Sequence, residues 1–278
     1  MNHLINYITT YSAQIQLMLF AGLLFIFWNI ENIAGLLLNY KKWRHASVNA
    51  KFIFTGLPVQ LLLGLVFVKT IHWTEVNHFG LLYHLSLTHH IVLLFIITFI
   101  FLDLGEYVYH VTMHKVKRLW MVHLVHHSDQ AVDVSTTLRE HPFETFIRLS
   151  FTLVWVFISG TVFWVLALRQ IIQVFTTLFA HMNYQLPQKV NTIIGFLFIT
   201  PNLHQVHHHY QQPYTDSNYG DVLSIWDRLF GTFKPLPEEQ IIYGVDTYMH
   251  KKDNARFVSL IKMPFGKYRK SNNRFSKW

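Results

Sequence analysis

The chain has 278 residues, a formal charge of +8 and 51% apolar residues, but only 14% charged ones, where a typical soluble domain is about one-quarter charged. That skew points to lipid as the solvent for much of the chain. Cysteine is absent, which excludes disulfides, thiolate metal sites and cysteine nucleophiles, so any metal here is held by imidazole and carboxylate.

Residues 15–38 are apolar apart from a polar patch, Asn29 to Asn32. The run is too long for a cleavable leader and no basic segment precedes it, so it reads as a first membrane span. Residues 52–68 form a second, and 87–108 a third that continues helically through Asp103 to His114. Residues 146–180 are mostly apolar. As one helix they would measure about 52 Å, more than a bilayer core of about 30 Å, so a two-span hairpin fits better, turning at Ser159-Gly160 or near Arg169.

The basic residues orient these spans. Lys41, Lys42, Arg44 and Lys51 lie between the first two, and Lys115, Lys117, Arg118 and Arg139 follow the third, whereas residues 70–88 contain neither Lys nor Arg. Excess Lys and Arg marks the cytoplasmic side. The expected fold is an all-α membrane bundle of four to five spans, hairpin included, with a cytosolic helical cap. The expected setting is a bacterial inner membrane or the endoplasmic reticulum. Nine of the 23 basic residues fall between Lys251 and Trp278, and this segment is expected to lie against anionic headgroups rather than nucleic acid.

Nineteen histidines stand out. His110 and His114 are four apart, His123, His126 and His127 read His-x-x-His-His, and His204, His207 and His208 repeat that pattern. Residues three and four apart share a helix face, so each group can aim its rings together, and neutral imidazole is a common ligand for transition metals. A straight helix from His110 to His127 would put the first two groups on opposite faces, with His114 and His123 about 13.5 Å apart along the axis. A shared site therefore requires a break between Lys115 and Val122, although no Pro or Gly marks one. Eight such ligands exceed what one metal takes, so two metals are expected. Asp103 and Glu106 precede His110 by seven and four residues, near its face, where a carboxylate could accept the ring's second N–H. His3, His45, His72, His78, His84, His89, His90 and His250 lack comparable neighbours.

The stretches "DLGEYVYHVTMH" (103–114), "HLVHHSDQAVDVSTTLREHPFE" (123–144), "HMN" (181–183) and "HQVHHHYQQPYTDSNYGDVLSIWDRLFGTF" (204–233) resemble the fatty acid hydroxylase superfamily, also called the sterol desaturase family. The resemblance divides the chain into a transmembrane region (1–102), a catalytic region (103–235) and a basic cytosolic tail (236–278). It implies a di-iron oxygenase that uses O2 to hydroxylate a lipid C–H bond, with zinc able to replace iron in heterologous preparations. The implied ligands are His110, His114, His123, His126, His127, His204, His207 and His208, with His181 joining them. Arg139, His141 and Glu144 would support the ligands or anchor a helix, and Asn218, Tyr219, Gly220 and Asp221 would form a turn over the site. Trp226, Phe230 and Phe233 would pack rather than touch substrate. Where the hydroxy-fatty-acid branch has a further histidine, this chain has Gln185. No cytochrome b5-like segment is present, which implies a separate electron donor of ferredoxin or cytochrome b5 type with its reductase. Desaturation or C–C cleavage by the same fold, a histidine-rich metal transporter and a non-catalytic scaffold are the competing readings.

Overall fold

The computed structural model describes residues 2–33, 41–85 and 90–270. Residues 34–38 of the expected first span, His89 and the start of the expected third, and the chain beyond 270 lie outside the described residues. Helix α1 (Asn2–Ile33) is followed by α2 (Lys42–Val76), the short α3 (Leu81–His84), α4 (Ile91–Lys115) and α5 (Lys117–His127). After a 3-10 turn (Val134–Leu138) come α6 (Pro142–Ser159) and α7 (Phe163–Ala180), then the short helices α8 (Gln188–Ile194), α9 (Pro201–His207), α10 (Ile225–Leu229), α11 (Lys251–Asn254) and α12 (Phe257–Lys262). Among the described residues the only β pairing is two isolated bridges. Helices α1, α2, α4, α6 and α7 are each part of a segment long and apolar enough to cross a membrane, and the chain is an all-helical, multi-pass membrane protein.

The polar patch of the first span does not interrupt its helix. Glu31 is fully buried, pairs with Lys42 Nζ at 2.8 Å, and accepts the backbone N–H groups of Val134 and Asn183 at 2.9 and 2.8 Å. One carboxylate thus ties α1 to α2, to the 3-10 turn and to the end of α7. A charge inside an apolar helix is tolerated when it is paired and hydrogen-bonded in this way.

The hairpin turns at Ser159-Gly160. Pro142 occupies the first position of α6 behind His141 as N-cap, and Gly160 closes the helix in the left-handed region at φ +69, a conformation glycine adopts without a Cβ penalty. A Cβ added at Gly80 would stand 2.3 Å from the backbone N of Gly160, so the loop after α2 and the hairpin turn meet at one end of the bundle. By connectivity, the ends of α4 and α7 that carry the histidines lie at the other. Arg169, the alternative turn position, is buried within α7, 3.8 Å from Glu106 and 3.6 Å from Asp221.

The expected helix break is present. Val116 takes an extended conformation (φ −97, ψ 110) between α4 and α5. Its N–H still donates to Thr112 O at 3.0 Å and its carbonyl accepts from Trp120 N at 2.8 Å, so one residue closes one helix and opens the next without stranding a backbone group. Packing fixes the new direction of α5. Leu119 and Val122 meet Tyr109, Met113 and Phe151. Met121, Leu124 and Val125 pack with Phe52 of α2 and with Val245, Tyr248, Leu260 and Met263. The segment after residue 235 is therefore folded onto the outer side of α5, with Leu260 fully buried in that cluster.

Candidate metal centre

Nine histidines converge where α4, α5, α9 and the end of α7 meet. They form two groups: His110, His114, His123, His127 and His207, and His126, His181, His204 and His208. In each, one nitrogen per ring lies within 4.8 Å of all the others. Each His-x-x-His-His box is divided between the groups. Its i and i+4 rings (His123 and His127; His204 and His208) join one group, and its i+3 ring (His126; His207) joins the other. Helix geometry accounts for the division: relative to i, the i+4 ring is rotated about +40° and the i+3 ring about −60°. The expectation that each group aims its rings together is corrected accordingly, because the two His-x-x-His-His boxes interlock. The groups touch where His127 stacks on His208 at a 4.7 Å centroid separation and 22° interplanar angle.

Acceptors around the groups set the tautomers of five of the nine rings. Nδ1 of His110 donates to Tyr219 O at 2.8 Å, that of His207 to Ser217 O at 2.7 Å, and that of His181 to Thr177 O at 2.8 Å. Asp216 accepts from His114 Nδ1 at 3.2 Å and Glu144 from His123 Nδ1 at 2.5 Å. A proton on Nδ1 leaves Nε2 with a lone pair, and these lone pairs point inward. Nε2 of His123 faces Nε2 of His110 at 3.2 Å, and Nε2 of His181 faces those of His126 and His204 at 3.1 and 3.0 Å. Where both facing rings spend their Nδ1 proton outward, as His110 and His123 do, the two Nε2 lone pairs have no proton to share, and a cation resolves the conflict. The buried Nε2 atoms of His114 and His207 have no hydrogen-bond partner, which fits the same requirement.

Electrostatics keep the donors neutral. Burial pushes His123 down to about 3 and His181 to about 4. Burial, reinforced by neighbouring imidazoles, holds His126, His127, His204, His207 and His208 well below the usual histidine range. Neutral imidazoles gathered in this way are a donor set that suits Fe, Zn, Cu or Ni.

The remaining sequence-selected residues lie one layer out. The expectation for Asp103 is corrected: His110 donates to Tyr219 O instead. Asp103 accepts from Val222 N and Leu223 N at 3.2 Å each and from Trp226 Nε1 at 2.8 Å. It therefore anchors the loop whose Tyr219 carbonyl orients His110. Glu106 is likewise turned away and accepts from Thr152 Oγ1 at 2.7 Å. Arg139 clamps the end of α5, donating to Val125 O at 2.9 Å, Ser128 Oγ at 2.9 Å and Asn254 O at 2.8 Å. His141 accepts from Phe143 N and meets Ile261 O, both at 3.2 Å, as a helix cap. Asn218 (φ +52) donates to Leu203 O at 3.0 Å and Lys234 O at 2.8 Å, holding α9. Asp221 accepts from Gln173 Nε2 at 2.8 Å, and burial raises its carboxyl to about 7.

Sequence reasoning did not single out Asp216, nor the carbonyls of Thr177, Ser217 and Tyr219. A carbonyl acceptor leaves no trace in side-chain identity. His45 was also passed over, yet its Nε2 lies 2.8 Å from Asp129 and its Nδ1 3.3 Å from Asp133, which joins α2 to the end of α5. Replacing Glu144 by glutamine is expected to weaken metal retention or turnover by about 10–100-fold, the usual effect of losing a ligand's carboxylate partner. Metal content after chelator challenge, read beside activity, checks this, and unchanged values would contradict it.

Residues 95–232 match the family model for fatty acid hydroxylase. Alkylglycerol monooxygenase of Xenopus tropicalis is 33% identical over 159 residues, covering 54% of this chain and 32% of that protein. The human alkylglycerol monooxygenase is 30% identical over 156 residues, 53% and 32% of the two chains. Ornithine lipid hydroxylase OlsE of Rhizobium tropici is 27% identical over 165 residues, 59% and 48%. The match thus spans about a third of the length of these monooxygenases and about half of the ornithine lipid enzyme. No solved structure matches the chain.

Proposed function

The chain belongs to the fatty acid hydroxylase family through residues 95–232, and on that premise we propose that it is a membrane-bound, O2-dependent lipid hydroxylase with two irons. The observation that carries this reading is the pair of interlocked histidine groups, each gathering one nitrogen per ring to within 4.8 Å of the others. His110, His114, His123, His127 and His207 would hold one iron, and His126, His181, His204 and His208 the other. Irons held by these rings would supply the chemistry of O2 activation needed to put one oxygen atom into a C–H bond.

The chain itself contributes three things. Asp216, Glu144 and the carbonyls of Thr177, Ser217 and Tyr219 fix the ring orientations. The burial of the rings keeps bulk water from the reacting centre. The apolar helices bring a lipid chain to it from the bilayer. The relatives' names, an alkylglycerol monooxygenase and an ornithine lipid hydroxylase, support a lipid substrate. Electrons come from a separate carrier of ferredoxin or cytochrome b5 type. The Lys and Arg asymmetry supports placing the histidine end in the cytosol.

Lipid profiling of cells with and without the protein under 18O2 tests the reading. One lipid class is expected to gain a single labelled oxygen. A product gaining a double bond and no label would assign a desaturase instead, and an unchanged lipid profile would sink the oxygenase reading.

A further inference from the structure

Beyond the end of α5, the start of α2 and the C-terminal segment face each other across an open concavity of about 950 Å³. Its rim carries Lys41 and Arg44 on one side and Lys251, Lys252 and Arg256 on the other. All five are exposed, and among the described residues none of them pairs with a carboxylate. The carboxylates close by are engaged elsewhere. Glu31 pairs with Lys42 at 2.8 Å and Asp253 with Arg269 at 2.9 Å. Asp129 and Asp133 face the two basic side chains of the floor, His45 and Arg139. The five charges of the rim are thus left without a counterion from the chain.

Aromatic residues set the height of this rim. Trp28, near the end of α1, packs 5.0 Å from Trp43, which stands between Lys42 and Arg44 and is 78% exposed. Lys42 Nζ lies 4.1 Å over the Trp28 ring. Exposed tryptophan beside lysine at the start of a span marks the level of lipid headgroups. On the other side, Phe265 lies 5.8 Å from Phe143 in the first turn of α6, and both are exposed. The C-terminal segment therefore runs along the level at which the spans enter the bilayer. The lining is also mixed: Val48, Ala255 and the aliphatic stems of the lysines and arginines lie among the charged ends. A bare ion uses the charges alone, whereas a headgroup with its glycerol uses both kinds of surface.

We propose that this concavity binds the phosphate headgroup of an anionic phospholipid, the shared counterion that bridges α2 and the C-terminal segment. The inference stands on the membrane fold and is independent of the hydroxylase reading. It reaches the metal centre through the floor. Arg139 donates to Asn254 O at 2.8 Å and to Ser128 Oγ at 2.9 Å, so the segment held by the lipid is also bonded to the end of α5, the helix of His123, His126 and His127. A ligand that binds only the folded chain stabilises it by mass action.

The test uses the full chain in nanodiscs of phosphatidylcholine, with or without phosphatidylglycerol. Native mass spectrometry counts the phosphatidylglycerol retained, and scanning fluorimetry gives the thermal midpoint. The wild type is expected to retain a single phosphatidylglycerol and to melt a few degrees higher with it. Lys41→Gln/Arg44→Gln and Lys251→Gln/Arg256→Gln should each weaken retention about tenfold or more and erase the gain in midpoint, because each basic group near the headgroup contributes. Their midpoints in phosphatidylcholine alone should equal or exceed that of wild type, since like charges are removed from a common rim. The charge-matched Lys189→Gln/Lys234→Gln protein should behave as wild type.

A wild type that retains no phosphatidylglycerol would overturn the proposal. So would loss of retention in the Lys251/Arg256 variant with none in the Lys41/Arg44 variant, which would reduce the site to a basic tail on a charged surface. Equal loss in the charge-matched control would show bulk attraction instead of a site. Inorganic phosphate raising the midpoint in phosphatidylcholine as far as phosphatidylglycerol does would assign the concavity to a soluble anion and overturn the lipid assignment.

Discussion

Replacing His127 or His208 by alanine is expected to abolish turnover while the protein still inserts into the membrane. The two rings belong to different groups, so each change should remove one metal and leave the other. Insertion should survive because α1, α2, α4, α6 and α7 supply the apolar length, and neither ring faces lipid: both are fully buried in the histidine cluster. The interlocked boxes sharpen the expectation. His126 and His127 are adjacent in sequence, yet His126→Ala should empty the four-histidine site and His127→Ala the five-histidine site. Metal content and activity of the purified variants decide it. Near-normal turnover of His208→Ala would remove that ring from the metal's ligands.

The second large effect is on stability. Arg139 is buried and donates to groups on α5, on the residue that ends it and on α11. It also lies 3.8 Å from Asp129. Burial alone would raise the Asp129 carboxyl, but His45 and Arg139 together hold it well below the usual carboxylate range. Arg139→Ala leaves that carboxylate short of a countercharge in a buried setting, a loss of about 3–5 kcal/mol. The corresponding fall in the thermal midpoint is on the order of 10 °C. Lysine should rescue little, because a single ammonium cannot reproduce the guanidinium's spread of donors. A midpoint within a degree or two of wild type would show that α5 is held by its apolar face alone. Because α5 carries three of the nine rings, metal retention should fall in parallel.

The parts of this site visible in the sequence are those in which chemistry and local geometry coincide. Ligands at i, i+3 and i+4 mark a helix face whatever the helix packs against, so the three clusters were legible. So was the need for a break before Val122, since no straight helix could bring His114 and His123 together. The break itself sits at Val116, which nothing in its own identity announces. Packing of Met121, Leu124 and Val125 beneath residues 245–263 sets the direction of α5. The partners of Asp103 lie 119 to 123 residues away, so helical spacing placed the carboxylate near His110 without revealing that it holds a distant loop. The same holds for Glu31, which reads as a defect in the first span and is an anchor for three segments.

The account stands most directly on the number of metals. Elemental analysis of active, purified protein should return two irons per chain, one for each histidine group. A single iron at full activity, or none, would contradict the assignment of the two groups to two metals and the lipid hydroxylase built on it.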